Sequence, residues 1–252
     1  MTDDPELWLR RYHEADEGAV RLFCLPHAGG SASFYFPMSA GLGRAVEVLA
    51  VQYPGRQDRR LEPGIDSLPA LADRLTEVLA ERTREPFALF GHSMGATLAF
   101  EVAARLERTG VTPLHLFASG RRAPSCRRDE SVHLLDDDGV IAEVRRLGGT
   151  NAAVLGDEEI LRMALPAIRN DYKAAETYVR QPGPKLATPI TVLTGDADPK
   201  TTLDEARAWE GLTDGEFELK VFRGGHFFLA DHQPEVLRLI SARLAGTLSG
   251  HH

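Results

Sequence analysis

Only two cysteines, Cys24 and Cys126, occur in 252 residues. They are too few for a disulfide framework or a zinc cluster, and each is expected to be a shielded free thiol. No apolar run reaches the roughly eighteen residues a membrane span requires, so no membrane association is expected. The opening MTDDPELWLRRYHEADEG is acidic and lacks the basic start and apolar stretch of a secretory signal, which makes the cytoplasm the expected location. Excess positive charge is missing too: 29 Lys and Arg stand against 37 Asp and Glu, a formal net charge of -8. With no positive field to attract a phosphate backbone, general nucleic-acid binding is excluded. Internal repeats and low-complexity tracts are absent. What is present is ordinary globular composition, 43% hydrophobic, on a chain long enough to bury a sizeable core. The terminal His251 and His252 read as part of a purification tag and carry no argument.

Several short apolar runs alternate with segments of helical length, the pattern of a mostly parallel sheet covered by helices. Strands are expected at AVRLFCL (19–25), at 47–53 before Pro54, at PFALF (86–90), PLHLFAS (113–119), PITVLTG (189–195) and FELKVF (217–222). Leu68, Leu71, Leu75 and Leu79 fall at three- and four-residue intervals and give a helix between 66 and 82 one apolar face. Pro69 fits its first turn. Further helices are expected from ATLAFEVAARLERTG, closed by Gly110, and from Pro234 to Leu248. The stretch from about 121 to 185 breaks the rhythm with polar RRAPSCRRDE and two helix-like pieces, DDGVIAEVRRLGG and DEEILRMALPAIRNDYKAAETY. The expected architecture is one α/β domain over 1–252 with a helical insertion there, and such insertions commonly form lids or binding elements. A separate helical domain is the alternative.

Gly91-His92-Ser93-Met94-Gly95 matches G-x-S-x-G, in which a serine sits on a sharp strand-to-helix turn and the glycines avoid collisions that a Cβ would make. The bare pattern is weak, but an apolar strand directly before it and a long helix directly after it are the required context. A serine hydroxyl needs a general base, normally a histidine oriented by a carboxylate, and in this fold the chain order is Ser, Asp or Glu, His. His226, delivered by the turn after FELKVF, is the candidate base. His115 reads as structural, His133 lies in the insertion, and His232 is expected near the surface at the start of the last helix. The loop after ITVLTG offers Asp196 and Asp198; Asp198 is preferred because it lies a few residues beyond the strand end, before Pro199. Oxyanion donors are expected from the backbone of Met94 and of Ala28, in the loop Pro26-His27-Ala28-Gly29-Gly30. His27 is assigned a loop-bracing hydrogen bond rather than a catalytic role.

Six segments in order, LFCLPHAGGSASFY, VQYPGRQDRR, GHSMGA, LPAIRNDYKAAETY, GDADP and GGHFFL, resemble the type II thioesterases. These are the free-standing editing hydrolases of polyketide and nonribosomal peptide synthetases, with the α/β-hydrolase fold. The resemblance implies Ser93, Asp198 and His226 as a triad, with Ala28 and Met94 as oxyanion donors. It implies hydrolysis of an acyl thioester on the phosphopantetheine arm of an acyl or peptidyl carrier protein that docks from outside, with no metal or organic cofactor and a monomeric enzyme. A carboxylesterase or lipase acting on diffusible esters would use the same groups; a noncatalytic protein on a hydrolase fold is the remaining alternative. Leu161, Met163, Leu165 and Ile168 are candidates either to shape the acyl chamber or to pack the insertion onto the sheet. Because carrier proteins are usually acidic, docking is expected to use a local patch: Arg56, Arg59 and Arg60, or Arg121, Arg122, Arg127 and Arg128, or apolar contacts of the insertion. Both arginine groups also read simply as solvated charge.

Overall fold

The apolar runs become strands of one seven-stranded sheet in a computed structural model that describes residues 5–148 and 158–249. The first four residues, the terminal His251 and His252, and 149–157 of the expected insertion lie outside the described residues. The strands are β1 (Leu9–Arg10), β2 (Val20–Leu25), β3 (Val46–Val51), β4 (Phe87–His92), β5 (Leu116–Ser119), β6 (Ile190–Gly195) and β7 (Phe217–Phe222). They lie in the order β1-β3-β2-β4-β5-β6-β7. All neighbours are parallel except β1, which pairs antiparallel with β3 through Leu9 opposite Val51 and Arg10 opposite Ala50. Two residues carry no periodic signal, which is why β1 is invisible in the sequence.

The central strands read as largely apolar runs because both sheet faces are covered, Arg21 near the start of β2 being the charged exception. Successive side chains of β2 and β4 alternate between two cores. Phe23, Leu25, Phe87 and Leu89 face α2 (Leu68–Ala80) and α3 (Met94–Arg108); Leu22, Cys24, Ala88 and Phe90 face α1 (Phe36–Leu42) and the last helix. The expected leucine face of α2 is buried, Pro69 lies in its first turn, and Ser67 caps it by accepting the Ala70 N–H. Each fully buried leucine contributes about 2 kcal/mol of apolar transfer free energy. β7 ends the sheet half-exposed, with Glu218 and Lys220 paired two residues apart on one face, and such charges on an edge strand resist pairing with another chain.

Between β5 and β6 the chain forms α4 (Asp137–Leu147) and α5 (Glu158–Glu176). Asp136 caps α4 through the Gly139 N–H, and Gly148 ends it in the left-handed conformation with φ 74°. These helices own a third small core of Val140, Ile141, Leu161, Leu165 and Ile168, separate from the two cores on the sheet. α6 (Leu203–Arg207) and α7 (Gln233–Ser249) complete the order.

Candidate active site

Ser93 follows β4 with φ 55° and ψ -119°, a strained backbone for a residue with a side chain. Its N–H donates to Ser119 O at 2.8 Å, tying the turn to β5. The flanking glycines are obligatory: a Cβ on Gly91 would lie 2.1 Å from Gly95 O, and one on Gly95 2.0 Å from Leu25 O. The tight crossing of strand and helix therefore projects the serine beyond the carboxyl end of the parallel sheet, where such folds bind ligands.

Two other strand ends converge on it. β7 leads into Arg223-Gly224-Gly225 and then His226, whose Nε2 lies 2.9 Å from Ser93 Oγ. β6 leads to Asp198, whose Oδ2 and Oδ1 lie 2.9 and 3.0 Å from His226 Nδ1. A carboxylate only accepts, so Nδ1 carries the proton and Nε2 is left to accept from the serine hydroxyl. Asp198 is also held by the Lys200 N–H at 2.8 Å. The rival Asp196 points elsewhere and accepts the Gly224 N–H at 2.8 Å, bracing the histidine loop from outside.

Ala28 and Met94 line the recess over Ser93 together with His27, His226 and Phe227, and its volume is about 450 Å³ including the open mouth. Arg121, Glu130, Tyr172, Glu176 and Lys200 add polar groups to the lining, and Leu147 and Ala175 add apolar ones. Lys200 bridges Glu130 at 2.9 Å and Glu143 at 2.7 Å, and Arg122 holds Glu130 at 2.5 Å. Burial opposes ionisation of Glu130, yet these cations outweigh it and hold its carboxyl down to about 2. Arg121 donates to Thr97 Oγ1 and Ala175 O, and burial lowers its guanidinium to about 10. Sequence reasoning missed Glu130, Tyr172 and Glu176 of the insertion and Lys200 of the loop after β6, because nothing in a linear pattern reports which side chains line the recess over the serine.

The other histidines resolve differently. His27 braces its loop through its backbone, whose O accepts the Gly30 N–H at 2.9 Å, while its ring contributes packing. Its ring lies 4.7 Å from that of Phe34 and 4.8 Å from that of Phe227, while Nδ1 is buried without a hydrogen-bond partner among the described residues. Burial first, then the neighbouring His226 and Arg56, lower it to about 3, so it is neutral at physiological pH. His92 is buried beside His226, accepts or donates through Nδ1 with Ser119 Oγ at 2.9 Å, and burial holds its pKa well below the ordinary value. His115 is structural, with Nε2 2.8 Å from Thr191 Oγ1. His133 meets Glu176 at 2.5 Å, and His232 stands just before α7 with Nε2 2.8 Å from Arg223 O.

Two surface readings need correction. Arg56 and Arg59 are neither docking groups nor solvated charge: Arg59 is 2% exposed, stacked over Trp8 and hydrogen-bonded to Glu62 and Gln52 O, and Arg56 is paired with Asp171. Arg122 is buried likewise, on Glu130, while Arg128 pairs with Glu205. A guanidinium leaves water when a fork of acceptors replaces its hydration, and charge counting along a sequence cannot see those acceptors. Arg60 and Arg127 are the exposed members of the two groups. Of the four apolar residues on α5, Leu161, Leu165 and Ile168 pack against α4 in the insertion's own core, and Met163 is 75% exposed. None of the four lines the recess over Ser93.

A family model of the thioesterase domain matches residues 20–244. The chain belongs to the thioesterase family. This thioesterase is 59% identical over 230 residues to the probable cadicidin biosynthesis thioesterase of Streptomyces griseus, covering 91% of this chain and 64% of that protein. It is 51% identical to Thioesterase PikA5 of Streptomyces venezuelae, covering 98% of this chain and 90% of the relative. Among solved structures, the type II thioesterase BorB from the borrelidin biosynthetic cluster superposes with a TM-score of 0.91 at 53% identity, over 97% of this chain and 99% of that one. The mostly parallel sheet and its flanking helices are those of an α/β hydrolase.

Proposed function

We propose that this thioesterase hydrolyses acyl thioesters carried on the phosphopantetheine arm of an acyl or peptidyl carrier protein, clearing aberrant acyl groups from a polyketide or nonribosomal peptide synthetase. The observation that carries the reading is the unbroken relay from Ser93 Oγ through His226 to Asp198, with contacts of 2.9 Å at both ends. Ser93 Oγ attacks the thioester carbonyl while His226 Nε2 takes its proton. The Ala28 and Met94 N–H groups stabilise the oxyanion, and Asp198 steadies the imidazolium. Collapse of the tetrahedral intermediate breaks the C–S bond, and the imidazolium returns its proton to the leaving thiolate. Water, deprotonated by the same imidazole, then attacks the acyl-serine; the acid departs and Ser93 regains its proton.

In this reading the chain is one domain whose helices α4 and α5 roof the recess as a lid. It works as a cytoplasmic monomer, and a carrier docks at the mouth through exposed Arg60 or Arg127 or through exposed apolar Leu134 and Met163 of the insertion. Kinetics on a panel of acyl-carrier thioesters, beside the same acyl groups on small diffusible esters, tests it. A higher kcat/KM on the carrier is expected; equal or better turnover of the diffusible esters assigns a general esterase instead.

A further inference from the structure

One carboxylate on α5 reaches the loop after β2. Asp171 is buried, and its Oδ2 accepts the Gly29 N–H at 2.8 Å. Arg56, also buried, grips the same carboxylate with two donors, Nη1 to Oδ2 at 2.6 Å and Nη2 to Oδ1 at 2.9 Å. That Nη1 also donates to Gly30 O at 3.0 Å, and the remaining donors are tied to Pro54 O. The loop's own turn closes through the Gly30 N–H to His27 O at 2.9 Å, with Gly29 at φ +75°. One turn before Asp171, Ile168 packs so closely that a Cβ on Gly29 would lie 2.6 Å from its Cγ1.

Inside a fold this arrangement is expensive to build, since two charges must be desolvated and every donor and acceptor matched. Stability alone gives little reason for it. Its geometric consequence is specific: the peptide groups immediately after Ala28 are held on three sides by Asp171, Arg56 and the turn, and Ala28 is left lining the recess over Ser93. We infer that Arg56 and Asp171 are positioning residues that aim the Ala28 N–H at the oxyanion, so that the oxyanion loop is ordered only when α5 is seated on it. The insertion thereby acts on the chemistry and not merely as a cover. This rests on the proposed role of Ala28.

The test uses the full chain with Asp171→Ala and with the double variant Arg56→Met/Asp171→Leu, whose apolar pair replaces the ion pair and supports folding. Turnover of an acyl-N-acetylcysteamine thioester is normalised to sites titrated with a fluorophosphonate, whose phosphonyl oxygen occupies the oxyanion position. A donor misplaced by about 1 Å lowers kcat by about a hundredfold, with KM changed by less than about threefold and with phosphonylation of Ser93 slowed in parallel. A purely structural pair would lower the melting temperature and leave kcat per titrated site intact, and folded variants with kcat within about threefold of the parent overturn the inference. Hydrogen exchange at the Gly29 amide of the unmodified protein gives a second reading: strong protection is expected, and exchange at the rate of an open loop overturns the clamp. If the parent enzyme neither hydrolyses thioesters nor labels at Ser93, it is the proposed function that fails; if it does both and the variants match it, only the clamp fails.

Discussion

Asp198→Asn, set beside Asp196→Asn, examines the relay at the point where two equivalent residue types stand two positions apart. The Asp198 side chain is fully shielded and touches His226 Nδ1 through both oxygens. In the proposed mechanism the imidazole gains a proton as Ser93 attacks, so a unit positive charge appears about 4 Å from the carboxylate centre. At an effective dielectric of about 20 that attraction is about 4 kcal/mol, which is about three decades in rate. Asparagine also offers its NH₂ to Nδ1 and favours the wrong tautomer, taking the expected loss in kcat to about 10³ to 10⁴. Asp196 only accepts the Gly224 N–H, a task the amide oxygen of asparagine performs equally well, so that variant should stay within about threefold of the parent. Thiol release from an acyl-carrier or acyl-N-acetylcysteamine substrate measures both. An Asp198→Asn enzyme within tenfold of the parent, or a collapse confined to Asp196→Asn, would refute the relay as described.

Gly95→Ala drives a Cβ to 2.0 Å from Leu25 O; a loss of about 3 kcal/mol or more is expected, and an unchanged melting curve would show that the elbow can open without penalty. Arg59→Ala removes the partner of Glu62 under Trp8 and should cost about 3 kcal/mol in denaturant unfolding, whereas Arg127→Glu should leave stability unchanged and raise KM for a carrier substrate in a salt-dependent way; the reverse assignment would restore the surface reading of Arg59. His27 at about 3, His115 at about 4 and His92, also lowered, are kept neutral by burial. The unfolded chain binds protons at these three sites below about pH 6.5 while the folded one does not, so stability is full above that pH and falls as pH drops toward 4, by up to about 1.4 kcal/mol per unit for each site. A urea midpoint that stays flat from pH 7 to 5 would contradict their buried, neutral state.

Much of the molecule was legible because its determinants are local in the chain. β2 to β6 are short, mostly apolar runs, β7 alternates apolar with charged residues, and the leucine spacing of 68–79 survives as the buried face of α2. Ser93 was legible for the same reason: the glycines that a sharp crossing demands sit within two residues of it. Asp198 and His226 could be named as candidates from their places after strand ends, since a parallel sheet delivers those loops to one edge. β3 ends at Val51 rather than at residue 53, and just beyond it the Gln52 side-chain oxygen accepts the Ala32 N–H.

The contacts that α5 makes and the burial of the arginines lay beyond such reading. Asp171 leaves one trace, a carboxylate continuing the apolar face of α5 after Leu161, Leu165 and Ile168, but its partners, Gly29 and Arg56, are more than a hundred residues away. By itself the sequence determined which strands form, which serine sits on the elbow and which family's pattern the chain carries, because periodicity, turn chemistry and motif spacing act over a few residues. Only the tertiary structure set Asp198 rather than Asp196 against His226, buried Arg56 and Arg59, and joined the α5 carboxylate to the loop that bears Ala28. Hydrogen bonding and desolvation depend on which groups meet in space, and a linear pattern of charges does not contain that information.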